Sequence, residues 1–188
     1  MSGFHVHPAA INESNDVGSS TRIWANAHVM SGARIGSHCN IGEGVFIEAG
    51  VIVGDHVTVK NGVALWEGVR LDDFVFVGPG AVFTNDLRPR SHPDLRTPRT
   101  EWLPTNVREG ATIGANATVV CGNDVGAWAF VAAGAVVVRP VLRHALVAGN
   151  PARRAGWVCR CAETLSASLE CGKCGRAYDR ADGGLVSK

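Results

Sequence analysis

The sequence predicts an all-β chain wound as a parallel β-helix, with one long loop and a small cysteine-bearing tail. Two observations carry the fold class. Stepping by six from Ile11 meets Ile11, Val17, Ile23, Val29, Ile35, Ile41, Ile47, Val53, Val59, Leu65, Leu71, Val77 and Phe83, all large and apolar. A period of six is neither 3.6 nor 2, so it marks neither one amphipathic helix nor one strand. It is the period of a β-helix built from six-residue units that stack on one another. The second observation is that the period lapses and then returns, in Val107, Ile113, Val119, Val125, Val131 and Val137.

Composition agrees with many thin buried layers. Apolar residues make up 46% of 188, glycine is frequent at 23, and there is only one tyrosine. That length fits one domain with a small appendage. The net charge of +1 gives no electrostatic case for nucleic acid or an anionic membrane as partner. No run of 18 apolar residues is present, so no membrane span is expected. Residues 1–10 lack a basic stretch followed by an apolar run, so no leader is expected and the cytoplasm is the expected location.

Taken in order, residues 1–10 read as a lead-in to the first repeat. Each hexad then reads as a short strand and a tight bend. Its first apolar residue points inward, and a small or β-branched residue four positions later, such as Ala27, Ala33, Cys39 or Val45, fits a corner. Glycine follows the inward residue at Gly18, Gly36, Gly42, Gly54 and Gly78. There it is expected to supply bends with positive φ, with Asn26, Asn40 and Asn61 as substitutes. With three hexads to a coil, as the resemblance to known hexapeptide-repeat proteins implies, nineteen hexads make about six coils, or a prism roughly 29 Å tall at the spacing of neighbouring strands.

Residues 86–106 interrupt the ladder with Arg88, Pro89, Arg90, Pro93, Arg96, Pro98, Arg99 and Pro104. Long excursions in compact domains are usually functional when ordered; a tolerated surface insertion is the alternative. Residues 141–157 are expected to leave the prism.

Several motifs carry a resemblance. The hexads resemble the left-handed β-helix of the hexapeptide-repeat acyltransferases. Leu146-Val147-Ala148-Gly149-Asn150-Pro151-Ala152 is similar to the segment that follows the helix in those enzymes and contributes to the coenzyme A site. Gly78-Pro79-Gly80-Ala81-Val82-Phe83-Thr84-Asn85, Pro89-Arg90-Ser91 and the run Gly110 to Gly122 resemble the nucleotide-sugar 3-N-acetyltransferases. That group acts on UDP-2-acetamido-3-amino-2,3-dideoxy-glucuronate or on dTDP-3-amino-dideoxyhexoses. The resemblance covers residues 8–157. It implies a left-handed winding, acetyl-CoA as cosubstrate, and a homotrimer with sites between subunits.

Acetyl transfer from a thioester to an amine needs a positioned neutral amine, a donor for the oxyanion and an acceptor for the amine proton. Many hexapeptide enzymes use a histidine as that acceptor. None of His5, His7, His28, His38, His56, His92 and His144 has an evident orienting carboxylate beside it in sequence. The resemblance assigns Asn85 to the sugar amine, where its amide oxygen would orient the nitrogen lone pair; the alternative is that Asn85 caps the turn into the loop. Thr84, Glu67 and Arg90 are the substrate-binding candidates, with Arg88, Arg96 and Arg99 as further bidentate partners for a diphosphate or carboxylate, or else a solvated charge run. Arg139, Gly149, Asn150, Pro151, Arg153 and Arg154 are the candidates for coenzyme A; the alternative for the three arginines is that they cap the end of the prism.

Six cysteines fall into two sets. Cys39 and Cys121 lie inside hexads and read as small buried hydrophobes. Cys159, Cys161, Cys171 and Cys174 form Cys-x-Cys and Cys-x-x-Cys pairs, and the segment Cys171 to Gly175 resembles a zinc knuckle. In a reducing compartment four clustered thiols read as a closed, structural Cys₄ zinc site; paired disulfides are the alternative. The domain reading is therefore 1–157 for the acyltransferase β-helix and 158–188 for the zinc-binding tail.

The expected activity is acetyl-CoA-dependent N-acetylation of a nucleotide-linked 3-amino sugar. O-acetylation of a sugar or serine hydroxyl needs a stronger base, and no convincing histidine supplies one. A carbonic anhydrase of the same fold needs three histidine ligands, whose spacing is absent. A non-catalytic scaffold fits poorly with the arginine-rich loop.

Overall fold

The computed structural model describes residues 3–188. Its body is a parallel β-solenoid with three faces. The first face runs His5–Val6, Arg22–Ile23, Asn40–Ile41, Thr58–Val59, Phe76–Val77, Thr112–Ile113, Phe130–Val131 and Ala145–Ala148. The second runs from Ile11–Asn12 through Phe46–Ile47, Ala64–Leu65 and Val82–Phe83 to Val136–Val137. The third holds Arg34–Ile35, Ile52–Val53, Val69–Leu71 and Thr105–Val107. Strands of two or three residues suffice because every coil hydrogen-bonds to the next in register, as when Ala64 and Leu65 pair with Phe46 and Ile47.

The apolar ladder is the core. From Ile23 to Phe83, and again from Val107 to Val137, each inward residue is at most 3% exposed. The small residues of the corners, such as Ala27, Cys39 and Ala117, are equally buried. Burial pushes the Cys39 thiol up, which keeps it protonated.

Three local expectations need correction. Ile11 is not the first rung: it is 55% exposed. It pairs with the outward His28, while Asn12 pairs with the inward Val29. A slip of one residue exchanges the two faces of a strand, and Val6, paired with Ile23, supplies the apolar inward position at that end. The lead-in is therefore already part of the solenoid. At the other end the prism does not stop at residue 140. Val141 bridges to Val125, and Ala145–Ala148 continues the first face by pairing with Phe130–Val131. Only then does the chain reverse, in Arg153–Trp157, which lies antiparallel on Ala145–Ala148.

The third correction concerns glycine. The positive φ angles sit elsewhere, at corner residues including Asn26, Gly44, Gly62, Gly80 and Asn116, whereas Asn40 is a strand residue. Gly36, Gly54 and Gly114 do not need φ > 0. A Cβ at Gly114 would collide with the backbone of Ala132 and Ala133 on the next coil. Glycine there lets successive coils close to hydrogen-bonding distance.

Beyond Trp157 a second small cluster buries Cys159, Leu165, Leu169, Cys171, Tyr178 and Leu185. The chain ends in a two-stranded hairpin, Tyr178–Ala181 with Gly184–Ser187. No helix among the described residues is long and apolar enough to cross a membrane.

Candidate active site

The corner where the second face turns toward the third collects most of the sugar-site candidates. Coils in this region repeat every 18 residues, since Ala64 pairs with Val82. Glu67 and Asn85 both lie two residues beyond the inward residue of that face, on successive coils. Glu48, Trp66 and Thr84 form the adjoining column. Between Phe83 and Thr105 the chain departs as the arginine-rich loop, with short 3₁₀ turns at Pro93–Leu95 and Arg99–Glu101.

The loop is tied back at its root and its far limb. The Leu103 N–H donates to the Asn85 carbonyl at 2.9 Å, and Gly122 N–H donates to the Pro104 carbonyl at 3.0 Å. Arg99 reaches the wall: its guanidinium lies 3.5 Å from Glu48 and 3.7 Å from Glu67. Its Cζ also sits 5.0 Å from the centroid of the Trp102 ring. Glu48 in turn accepts the Glu67 N–H at 2.8 Å. The Trp102 indole N–H is buried with no acceptor among the described residues.

Thr84 and Asn85 are held differently. The Thr84 hydroxyl accepts the Cys121 N–H at 3.0 Å, joining the coils on either side of the loop. The Asn85 side-chain amide makes no hydrogen bond among the described residues, although its backbone carbonyl is engaged. A turn cap would use that side chain, so the capping alternative finds no support. Arg90 is exposed and donates to the neighbouring Pro89 carbonyl at 3.1 Å.

Sequence reasoning favoured Arg90 among the loop arginines and passed over Glu48. The structure instead joins Arg99, Glu48 and Glu67. The available signal was spacing: 18 residues make one coil, so Glu48, Trp66 and Thr84 share a column.

No histidine hydrogen-bonds or ion-pairs with this cluster among the described residues. His38 and His56 stack at 4.7 Å along an outer corner, and His92 caps the first loop turn by accepting the Asp94 N–H. His144 is buried, with Nδ1 2.8 Å from the Val158 carbonyl oxygen.

A second feature lies at the C-terminal end of the solenoid. Arg139, Arg153 and Arg154 converge on a cavity of about 280 Å³, with Val137, Val147 and Ala152 among its apolar lining. Three of the six coenzyme A candidates are thus brought together. Gly149, Asn150 and Pro151 form the turn between Ala145–Ala148 and Arg153–Trp157 without lining the cavity. The Gly149 carbonyl accepts the Val136 N–H at 3.0 Å, which fixes that turn on the prism. Cationic groups beside an apolar slot can take a phosphate and a thioester arm together.

The four tail cysteines come together as well. Their Sγ atoms all lie within 4.8 Å of one another, with Cys159–Cys174 and Cys161–Cys171 at 3.5 Å. A tetrahedral metal with sulfur at about 2.3 Å needs sulfur pairs roughly 3.8 Å apart, so the donor set fits such an ion.

Comparison with known proteins agrees with this architecture. Residues 16–49 match the bacterial transferase hexapeptide (six repeats) model, and residues 104–139 match the hexapeptide repeat of succinyl-transferase. The chain is 48% identical over 186 residues to the dTDP-3-amino-3,6-dideoxy-alpha-D-galactopyranose 3-N-acetyltransferase of Aneurinibacillus thermoaerophilus, covering 97% of this chain and 94% of that protein. A 2,3,4,5-tetrahydropyridine-2,6-dicarboxylate N-acetyltransferase of Staphylococcus aureus is 39% identical over only 77 residues, 41% of this chain and 28% of the relative. Among solved structures, a hexapeptide-repeat acetyltransferase of Vibrio cholerae O1 biovar eltor complexed with acetyl coenzyme A superimposes with a TM-score of 0.56. It is 26% identical, over 63% of this chain and 67% of that one. The repeated fold, the two family matches and the near full-length relative together show that the chain belongs to the hexapeptide-repeat transferase family.

Proposed function

We propose that the protein transfers an acetyl group from acetyl-CoA to the 3-amino group of a nucleotide-linked amino sugar, with a dTDP-3-amino-3,6-dideoxyhexose as first choice. The observation that carries this reading is the 48% identity to a dTDP-3-amino sugar 3-N-acetyltransferase across 94% of that enzyme. It favours the thymidine branch over the uridine branch, which the motifs alone left open.

The geometry supports the assignment. The unpartnered amide of Asn85 is free to accept an N–H of the sugar amine and to aim its lone pair. The amine nitrogen then forms the C–N bond to the acetyl carbonyl carbon, and the C–S bond of the thioester breaks. The amine's proton leaves to the departing thiolate or to water, since an amide is too weak a base to take it. Glu67 and Thr84 would contact the sugar, and Arg90 the diphosphate. Arg139, Arg153 and Arg154 would hold the phosphates of coenzyme A, with Gly149, Asn150 and Pro151 shaping the turn beside them. An O-acetyltransferase reading has no comparable support, because no histidine among the described residues hydrogen-bonds or ion-pairs with the loop cluster.

Family membership further supports a left-handed winding, a cytoplasmic enzyme and a homotrimer with sites between neighbours. The division into an acyltransferase body at 1–157 and a tail at 158–188 belongs to the same proposal, as does a structural zinc ion on Cys159, Cys161, Cys171 and Cys174.

The test is a panel of dTDP- and UDP-linked 3-amino sugars with acetyl-CoA, following free thiol and the mass of the product. An N-acetylated dTDP sugar is expected. Thiol release with hydroxyl acceptors alone, or with none of the panel, would overturn the assignment.

A further inference from the structure

The tail holds a candidate metal centre whose surroundings reach back into the acyl-donor end of the solenoid. Several groups converge on the sulfur atoms. The Tyr178 hydroxyl lies 3.1 Å from Cys159 Sγ, and the Arg160 N–H donates to that hydroxyl at 3.1 Å. Arg176 donates to Cys174 Sγ at 3.2 Å. A metal held by four thiolates leaves a surplus of negative charge on sulfur, and donors aimed at sulfur offset it. The tail's own apolar cluster is small, and a segment of this size seldom folds without a metal or a disulfide.

The same groups are welded to the solenoid. Tyr178, 1% exposed, packs its ring 4.7 Å from the ring of His144. His144 Nδ1 meets the Val158 carbonyl, and the Val158 N–H donates to the His144 carbonyl at 2.8 Å. The Arg143 N–H donates to the Gly183 carbonyl at 2.8 Å, and the Leu185 N–H returns to the Arg143 carbonyl at 3.3 Å. Trp157 packs against both the solenoid core and the tail cluster. The Arg154 guanidinium lies 4.5 Å from the Trp157 ring centroid, and Arg154 lines the donor cavity.

We infer that Cys159, Cys161, Cys171 and Cys174 bind one zinc ion per chain, and that this ion clamps the last turn of the solenoid. Through Trp157 it sets the position of Arg154 in the donor cavity. The inference deepens the reading above and rests on it for the identity of the cavity's ligand. Four thiolates in a closed tetrahedron suit zinc and leave no coordination position for substrate. Its contribution is the order of residues 143–158. Binding coupled through such an element is reciprocal, so acetyl-CoA would also raise the affinity for the metal.

The experiment uses the full-length protein purified without chelator. Elemental analysis should give one zinc per chain; iron, or protein without metal, overturns the assignment. Zinc is then stripped, and hydrogen exchange and acetyl-CoA binding are measured before and after. Exchange at the amides of Arg143, Val158 and Leu185 should accelerate while that of Ile41 and Val59 stays slow. The Kd for acetyl-CoA should rise about fivefold or more, and re-added zinc should restore it. Cys174→Ser, at an exposed ligand, should reproduce both effects without disturbing the core. Trp157→Leu should keep the zinc but weaken acetyl-CoA binding. Unchanged exchange and unchanged Kd in the stripped protein would overturn the clamp. A zinc-loaded protein that shows the exchange effect but binds no acetyl-CoA would instead refute the acyltransferase reading and leave the metal site standing.

Discussion

Arg99 spans from the excursion loop to the solenoid wall, placing its guanidinium 3.7 Å from the Glu67 carboxylate and 3.5 Å from that of Glu48. The pairing joins the loop to the prism: a loop residue is anchored on carboxylates carried by β-coils. Glu48 is the better shielded of the two, with its side chain 16% exposed against 47% for Glu67.

Because the Arg99 side chain is 69% exposed, Arg99→Ala is predicted to change folding stability by no more than about 0.5 kcal/mol. Its effect should fall on the sugar substrate, whose KM rises as the loop loses its anchor. Steady-state kinetics alongside urea denaturation separate the two. A large loss of stability with an unchanged KM would show that the arginine serves the fold.

Asn85→Ala removes an amide that no other described group uses, and leaves the backbone carbonyl that receives Leu103. The melting temperature is therefore expected to stay within a degree or two. The kcat with acetyl-CoA and the sugar acceptor is expected to drop about a hundredfold, the scale on which loss of a positioned polar group acts. Near wild-type turnover would remove Asn85 from the site.

Thr84→Val deletes the acceptor of the Cys121 N–H while keeping the shape of the side chain. An orphaned backbone donor costs about 1–3 kcal/mol, read as a lower urea midpoint. Thr84→Ser should recover most of it. Equal midpoints for wild type and Thr84→Val would mean that the hydrogen bond contributes nothing.

His144 predicts a pH dependence. Burial pushes its imidazole below the ordinary 6.5, the hydrogen bond to the Val158 carbonyl opposes the change, and Arg160 and Arg143 add to the fall. Tyr178 is the remaining titratable group against the ring. The unfolded chain then binds the proton more readily than the folded one, so this contribution is complete above 6.5 and is lost as pH falls toward the folded value. Denaturation midpoints of wild type should decline more steeply below about pH 6.5 than those of His144→Gln. Parallel curves would exclude His144 as the source.

The body of the fold was legible because burial repeats: a ladder from Ile23 to Phe83 requires a closed prism, whatever occupies its outer surface. The break after Phe83 marked, for the same reason, the corner from which the arginine-rich loop departs. Errors arose where the period alone was trusted. Ile11 keeps the six-residue step yet faces outward, because the pairing at that end slips by one residue. Gly36 looked like a bend residue, but its missing Cβ answers to the backbone of Gly54 on the next coil and not to its own φ.

By itself, then, the sequence determined the β-helix, its interruption and the clustering of four cysteines, since each depends on residue type at a fixed spacing. Tertiary structure decided which side chains meet across those spacings. The ion pairs of Arg99 with Glu48 and Glu67, the bond from Thr84 to Cys121 and the path from the tail cluster through Trp157 to Arg154 join residues whose separation follows no period. Loop and tail contacts are selected by three-dimensional packing and charge, and no local rule of the chain encodes them.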